Sequence, residues 1–322
     1  MLDVSTKVQT NHKFLSDVTE GLEKTPRRIS SRWFYDAKGD ELFQQIMQLP
    51  EYYLTRAEYA ILEKNAGQIL SNLSNEKSLL LVELGAGDGL KTRLLLNELS
   101  NSKRPFKYAP VDISQNALDK LTKQLSKEFP QLPIIPLQAD YFDALKSNVL
   151  DDKSQKMVLF LGSNIGNLNE KESVLFYSKL NDVLNPGDAV LTGFDRVKNP
   201  ETILAAYNDK AGVTREFNLN LLKRINRELG ADFDLNYWSH LPQYSTEKKS
   251  ALSYLVSEID QEVSIALAGK SFQFKRGERI HTEMSRKFTL HDIETLASES
   301  GFTVSANFHS EGDAFTNSLW TK

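Results

Sequence analysis

Three glycines at alternate positions, Gly85, Gly87 and Gly89, follow the apolar run Leu79-Leu80-Leu81-Val82. They precede a helical pattern carrying Leu94, Leu95, Leu96 and Leu99. At such a strand-to-helix turn, backbone amides and a helix N-terminus can meet a ligand with no Cβ in the way. The dinucleotide fingerprint wants its third glycine one position later, where this chain has Leu90, so the spacing fits a nicotinamide cofactor poorly. Asp112 ends the next strand, where a carboxylate can accept both ribose hydroxyls of a nucleoside. Asp140, within Gln138-Ala139-Asp140-Tyr141-Phe142, follows a third strand and could accept from an adenine amino group beside an aromatic ring. Taken singly, each acid reads as an ordinary solvated loop carboxylate. At successive strand ends, the glycines and both acids together predict a nucleoside pocket at the carboxyl edge of a sheet.

Other chemistries find no support. His12, His240, His281, His291 and His309 are scattered, with no i,i+4 pair, so no metal site is expected. A Gly-x-Ser-x-Gly elbow and a Walker pattern are both absent, which disfavours a serine hydrolase and the common nucleotide hydrolases. The chain has no cysteine, which excludes a thiolate nucleophile, disulfides and cysteine-ligated metals. Near the N-terminus, Arg32-Trp33-Phe34-Tyr35-Asp36 and Leu49-Pro50-Glu51-Tyr52-Tyr53-Leu54-Thr55-Arg56 are rich in aromatics. Packing between domains explains them as well as does a small polar substrate bound through tyrosine hydroxyls.

The elements that must position these residues alternate between strand and helix from about residue 61 to 195. Strands are expected at 79–82, 108–112, 132–137, 157–161 and 189–194, with Pro110 marking a strand end or a sheet edge. Helices are expected at 117–129 and 171–184, with a turn at Asn185-Pro186-Gly187-Asp188. Such alternation argues for a parallel, doubly wound sheet. Residues 290–299 read as a helix closed by Gly301, and 302–309 with 315–322 as an antiparallel pair. Two stretches break the rhythm: the aromatic beginning, and residues 198–283, which open with helical segments and contain expected strands at 254–257 and 263–267. An α/β fold is expected in which residues 61–196 and 287–322 form the sheet domain. Residues 1–60 and 197–286 then form a second, α+β domain.

At 322 residues the chain can bury roughly 75% of the surface its unfolded form exposes, and it needs no metal or disulfide staple. A formal net charge of −4 argues against a nucleic-acid or acidic-membrane partner. No apolar window approaches the ~20 residues of a membrane span, and MLDVSTKVQTNHKF lacks a signal-peptide core. A cytoplasmic, monomeric protein is expected.

Glu83-Leu84-Gly85-Ala86-Gly87-Asp88-Gly89 resembles the first motif of class I S-adenosylmethionine (SAM)-dependent methyltransferases. Further motifs occur in order: Trp33-Phe34-Tyr35-Asp36-Ala37-Lys38-Gly39, Leu49–Tyr53, Phe160-Leu161-Gly162 with Gly166-Asn167, Ala206-Tyr207-Asn208-Asp209, Gly212–Asn218 and Thr282-Glu283-Met284-Ser285. Together, from about residue 26 to 322, they resemble the histidine-specific (histidine Nα-) methyltransferase family of ergothioneine biosynthesis. The resemblance implies a Rossmann-like enzyme that trimethylates the α-amino group of L-histidine to hercynine, converting SAM to S-adenosylhomocysteine. It implies that Tyr52 and Glu283 hold the imidazole, with Ser285 supporting that end. Asn167 and Tyr207 would hold the carboxylate, with Asn167 also near the amine and Tyr35 close to it; Tyr35 and Asn167 are thus the catalytic candidates. Gly85, Gly87, Lys91, Asp112, Asp140 and Tyr141 would line the SAM site.

Two departures touch the substrate side. Relatives commonly carry Arg-x-Glu-Met where this chain reads Lys249-Ser250-Ala251-Leu252-Ser253-Tyr254, so Ser253 stands in the methionine's place and Leu252 in the acid's. Gly162-Ser163-Asn164 replaces the usual Gly-Gly-Thr. The alternatives are therefore the same chemistry on another amino acid or aromatic amine, a SAM-binding protein without turnover, or a nicotinamide oxidoreductase. Glu283 with Tyr52 speaks against an indole; Tyr35, Asn167 and Tyr207 speak against loss of turnover.

Overall fold

The computed structural model describes residues 4–74, 77–148 and 153–322, with side chains from His12 onward; Met1–Asp3 and two short internal segments inside the expected domains lie outside it. The helices in chain order are α1 (Val4–Glu23), α2 (Ala37–Gln48), α3 (Tyr53–Ser71), α4 (Thr92–Asn101), α5 (Gln115–Glu128), α6 (Tyr141–Ala144), α7 (Glu170–Val183), α8 (Pro200–Ala206), α9 (Val213–Leu229) and α10 (Leu290–Glu299). The strands are β1 (Leu79–Leu84), β2 (Phe106–Asp112), β3 (Leu137–Gln138), β4 (Gln155–Phe160), β5 (Ala189–Asp195), β6 (Trp238–Ser245), β7 (Ser250–Ser257), β8 (Gln261–Ile265), β9 (Lys270–Phe274), β10 (Arg279–Arg286), β11 (Thr303–His309) and β12 (Phe315–Thr321). They fall into two compact units, Met1–Tyr52 with Asn199–Met284, and Tyr53–Lys198 with Ser285–Lys322.

The unit that begins at Tyr53 holds a seven-stranded sheet in the order β11-β12-β5-β4-β1-β2-β3. Pairing is parallel from β3 through β5, and β12 runs antiparallel to both β5 and β11. β1 and β4 are buried along their whole length, as strands covered on both faces must be. The core includes Val82, Val158, Phe160, Phe176, Tyr177, Phe194 and Trp320, with the Tyr177 and Trp320 rings 4.7 Å apart. Helix starts follow local chemistry. Asn169 with Glu172 and Thr289 with Asp292 form reciprocal capping boxes, and Ser114 and Asp140 cap α5 and α6.

Three expectations change here. The domain boundary expected at residue 60 would cut α3, which instead lies whole in this unit because it packs on α4 and β12. The third strand, expected over 132–137, shrinks to Leu137–Gln138 plus an isolated bridge from Ile134 to Tyr108. Pro110 marks neither a strand end nor the sheet edge, since β2 lies between β1 and β3. The Tyr108 N–H donates to the Pro133 carbonyl, so Pro110, two residues on, faces the same side, where pairing lapses before Leu137.

The other unit contains α1, α2, α8 and α9, a three-stranded sheet in the order β10-β7-β6 and the ribbon β8-β9. Helix α2 packs on α9, and Asp36 caps α2 by accepting the Gly39 N–H at 2.7 Å. Burial pushes the Asp36 carboxyl up, but hydrogen bonds from Arg227, Gly39 and Asn220 outweigh it and leave its pKa lowered. Strands β6, β9 and β10 had no distinct sequence signal. Among the described residues no helix is long and apolar enough to cross a membrane.

Candidate active site

In the sheet unit, the carboxyl ends of β1 and β2 carry the glycines and their acid partner. Gly85, Gly87 and Gly89 have φ of 76°, 53° and 64°, the left-handed region that glycine reaches without strain. A Cβ on Gly85 would come within 2.7 Å of Asn164 Nδ2 and 3.4 Å of the Tyr141 hydroxyl. A Cβ on Gly87 would meet nothing within 4 Å, so space is open at that Cα. The Asp112 Oδ2 accepts the Gly87 N–H at 2.9 Å, and its Oδ1 accepts the Ser114 N–H at 2.9 Å.

Asp140 caps α6 through Oδ1, which accepts the Asp143 N–H at 2.9 Å. Tyr141 opens that helix, its ring 4.8 Å from Phe160 and its hydroxyl directed to Gly85. Lys91 sits beside the same turn, but its ammonium is engaged by Glu58 Oε2 at 2.6 Å. Glu58, fully buried, also accepts the Gly162 N–H at 2.7 Å and the Asn317 amide at 2.8 Å. Gly193 is glycine for this reason, since a Cβ there would lie 2.0 Å from Glu58 Oε1. Glu83, the first residue of the glycine motif, faces inward and accepts from Thr92 Oγ1 at 2.5 Å and from the Tyr108 hydroxyl. Burial raises its pKa to about 7 against those donors.

Asn167 ends a 3-10 turn, Asn164–Asn167, entered through Ser163 at φ 58°. The departure at this position therefore places a serine in left-handed backbone, and its hydroxyl accepts the Asp195 N–H at 3.0 Å. Ser285, buried, lies against the turn: a Cβ on Gly166 would be 3.2 Å from Ser285 Oγ. The sheet unit thus gathers Gly85, Gly87, Lys91, Asp112, Asp140 and Tyr141 around the ends of β1 to β3. It carries Asn167 and Ser285 at the end of β4.

The other unit holds Tyr35, Tyr52, Tyr207 and Glu283. Tyr35 stands edge-on to Phe43 and Phe217, with ring centroids 5.7 and 5.8 Å away, and Phe43 is also 6.3 Å from buried Tyr52. Buried Tyr207 follows α8 directly. Glu283, half-buried on β10, accepts from Ser253 Oγ at 3.4 Å. Its neighbour Thr282 is buried, donating to Asn218 Oδ1 at 3.0 Å and to the Ser253 carbonyl at 3.1 Å. His240 and His281 in this unit are held neutral at pH 7, because burial pushes the first down to about 4 and lowers the second.

Sequence reasoning missed Glu58, Asp195, Lys198 and Lys287. Glu58 has the spacing of an ordinary helix-surface acid, and only its partners reveal it. Lys287 had no signal either, lying one residue past the end of β10, a strand the sequence did not announce. Asp195 and Lys198 pair within the sheet unit, and burial lowers the Lys198 pKa against the pull of Asp195.

A family model described as histidine-specific methyltransferase, SAM-dependent, matches residues 14–322. The histidine N-alpha-methyltransferase of Mycolicibacterium smegmatis is 36% identical over 88% of this chain and 87% of its own length. That of Mycobacterium tuberculosis is 36% identical over 84% and 83%. Ergothioneine biosynthesis protein 1 of Neurospora crassa is 32% identical over 86% of this chain, which spans 31% of that longer protein.

Proposed function

The chain belongs to the histidine-specific, SAM-dependent methyltransferase family, and from that premise we propose that it transfers methyl groups to the α-amino nitrogen of L-histidine, three in all, to give hercynine. What supports SAM at the glycine turn is its left-handed backbone, the open space at the Gly87 Cα and the Asp112 carboxylate held beside it. Gly85, Gly87, Asp112, Asp140, Tyr141 and Lys91 would hold it. Bound there, SAM supplies a sulfonium methyl already activated toward a nitrogen lone pair. The chain's task is then alignment and exclusion of water.

On the acceptor side, Tyr52 and Glu283 hold the imidazole, with Ser285 supporting that end. Tyr207 and Asn167 hold the carboxylate. Asn167 and Tyr35 orient the amine through neutral dipoles, so its lone pair is not tied up as a salt-bridged ammonium. The amine must reach the site deprotonated. A carboxylate in their place would hold the proton on.

The observation that carries the acceptor is Glu283, a half-buried carboxylate whose Oε2 is supported by the Ser253 hydroxyl. An imidazole N–H can donate to such a group, whereas an apolar side chain offers it no donor. The departure at Ser253 therefore keeps a carboxylate that recognises a donor at this end, even with Leu252 in place of an acid. Incubation with SAM and each common amino acid, read by product mass, tests the proposal. Histidine should gain one, two and three methyl groups. Histidine inert while another amine is consumed would transfer the chemistry to that amine, and no turnover with any amine would leave a binding protein.

A further inference from the structure

Behind Asn167 and Ser285 lies a buried ion cluster that none of the roles above uses. Asp195, fully buried at the end of β5, accepts from Lys287 Nζ at 2.8 Å. It also accepts from the Tyr53 hydroxyl at 2.9 Å to each oxygen, and from Lys198 Nζ. Lys287 is itself buried and donates a second hydrogen bond, 2.9 Å long, to Ser285 Oγ. From its backbone, Asp195 donates to Ser163 Oγ at 3.0 Å. Ser163 opens the turn that ends in Asn167. Where Ser285 meets that turn the fit is close, since a Cβ on Gly166 would lie 3.2 Å from Ser285 Oγ and 2.9 Å from the Arg286 carbonyl. Asp195 thus reaches the Asn167 turn twice: directly through Ser163, and through Lys287 and Ser285.

Stability is a weak reason for such an arrangement. Burying a carboxylate with ammonium groups costs desolvation that the attraction barely offsets, and apolar replacements of similar volume are often as stable. What the ions supply is direction, because Asp195 holds the Lys287 ammonium where it fixes the Ser285 hydroxyl. We propose that Asp195 and Lys287 are positioning residues for the methyl acceptor, setting the Ser285 hydroxyl and the Asn167 turn without touching substrate. The inference rests on the roles given above to Ser285 and Asn167.

The test compares Lys287→Met, Asp195→Asn, the double variant and Ser285→Ala in the full chain. Histidine KM and kcat are read by steady-state kinetics, SAM affinity by calorimetry and stability by melting. Lys287→Met and Asp195→Asn should raise histidine KM by roughly tenfold or more, with SAM affinity unchanged. The double variant removes the buried Asp195 and Lys287 charges together. It leaves only Lys198, which keeps its hydrogen bonds to the Tyr53 hydroxyl and the Arg196 carbonyl. It should therefore melt closer to the parent than either single variant yet keep the raised KM. Recovery of both melting temperature and KM in the double variant would overturn the proposal and make the cluster structural only. A loss of SAM affinity in step with KM would overturn it too, as general damage to the sheet edge. A raised KM in Ser285→Ala with parental KM in Lys287→Met would sink this inference alone. Parental KM in Ser285→Ala would remove the role of Ser285, and the inference with it.

Discussion

Asp112 and Glu283 do opposite work with the same functional group, and their surroundings explain it. Asp112 accepts a backbone N–H at each oxygen, which fixes its plane beside the glycine turn. In Asp112→Asn one of those positions becomes an NH2 facing a backbone N–H. SAM should then bind roughly tenfold or more weakly, by calorimetry, with a modest fall in melting temperature from the unsatisfied N–H. Glu283 is half-buried and accepts from the Ser253 hydroxyl at 3.4 Å, a carboxylate to which a polar partner can be added. A charge-assisted hydrogen bond contributes about 1.5–3 kcal/mol, so Glu283→Ala should weaken histidine by roughly ten- to a hundredfold while SAM binding holds. Equal losses for both ligands would contradict the role given to Glu283. Both acids were legible in the sequence, Asp112 by its place at a strand end and Glu283 only through the family motif around it. Glu58 and Asp195 were not, because nothing beside them in the chain hints that they are buried.

The glycine turn is the element on which the donor site depends, and it is braced from below. Glu83 ties β1 to Thr92 at the start of α4 and to Tyr108 on β2. Its pKa is raised by burial to about 7, above the 4.5 of a free carboxyl. The folded state therefore keeps a proton that the unfolded chain has lost. The stability this contributes is full below about 4.5 and is lost as pH rises through about 7. Denaturation of the parent should show stability falling with pH across that window, at up to about 1.4 kcal/mol per pH unit for one proton, and Glu83→Gln should flatten the slope. Unchanged slopes would mean that Glu83 titrates as a free acid. Gly85→Ala tests the turn itself, since the backbone is left-handed there and Asn164 Nδ2 would lie 2.7 Å from the new Cβ. The backbone alone should cost about 1–2 kcal/mol, with SAM binding lost as Asn164 is displaced.

At the scale of the molecule, each unit is assembled from two stretches of chain, so neither is a contiguous piece. The sheet unit closes only when β12 pairs with β5 and delivers Trp320 against Tyr177 and Phe194. Deleting residues 303–322 would expose the β5 edge and empty that part of the core. The shortened chain should be insoluble, and the milder Trp320→Ala should lower stability by about 3–5 kcal/mol in a denaturant titration. Soluble, SAM-binding protein from the shortened chain would contradict this dependence.

What the sequence determined by itself was whatever the chain writes locally. Glycine at a turn, alternation in a strand, a capping residue before a helix and the order of motifs are all properties of neighbours a few residues apart. They were enough for an α/β sheet and for a nucleoside pocket expected at its carboxyl edge, while the methyl donor and the residues proposed to line its site came through the family resemblance. Tertiary structure decided what depends on distant partners. It placed Pro110 inside the sheet, kept α3 whole and gave Glu58 an amide partner 259 residues away in Asn317. It also joined Asp195 to Lys287 in a buried pair. The reason is physical: an ionisable side chain is stable inside a protein only if its partners are brought to it, and folding, not spacing, brings them.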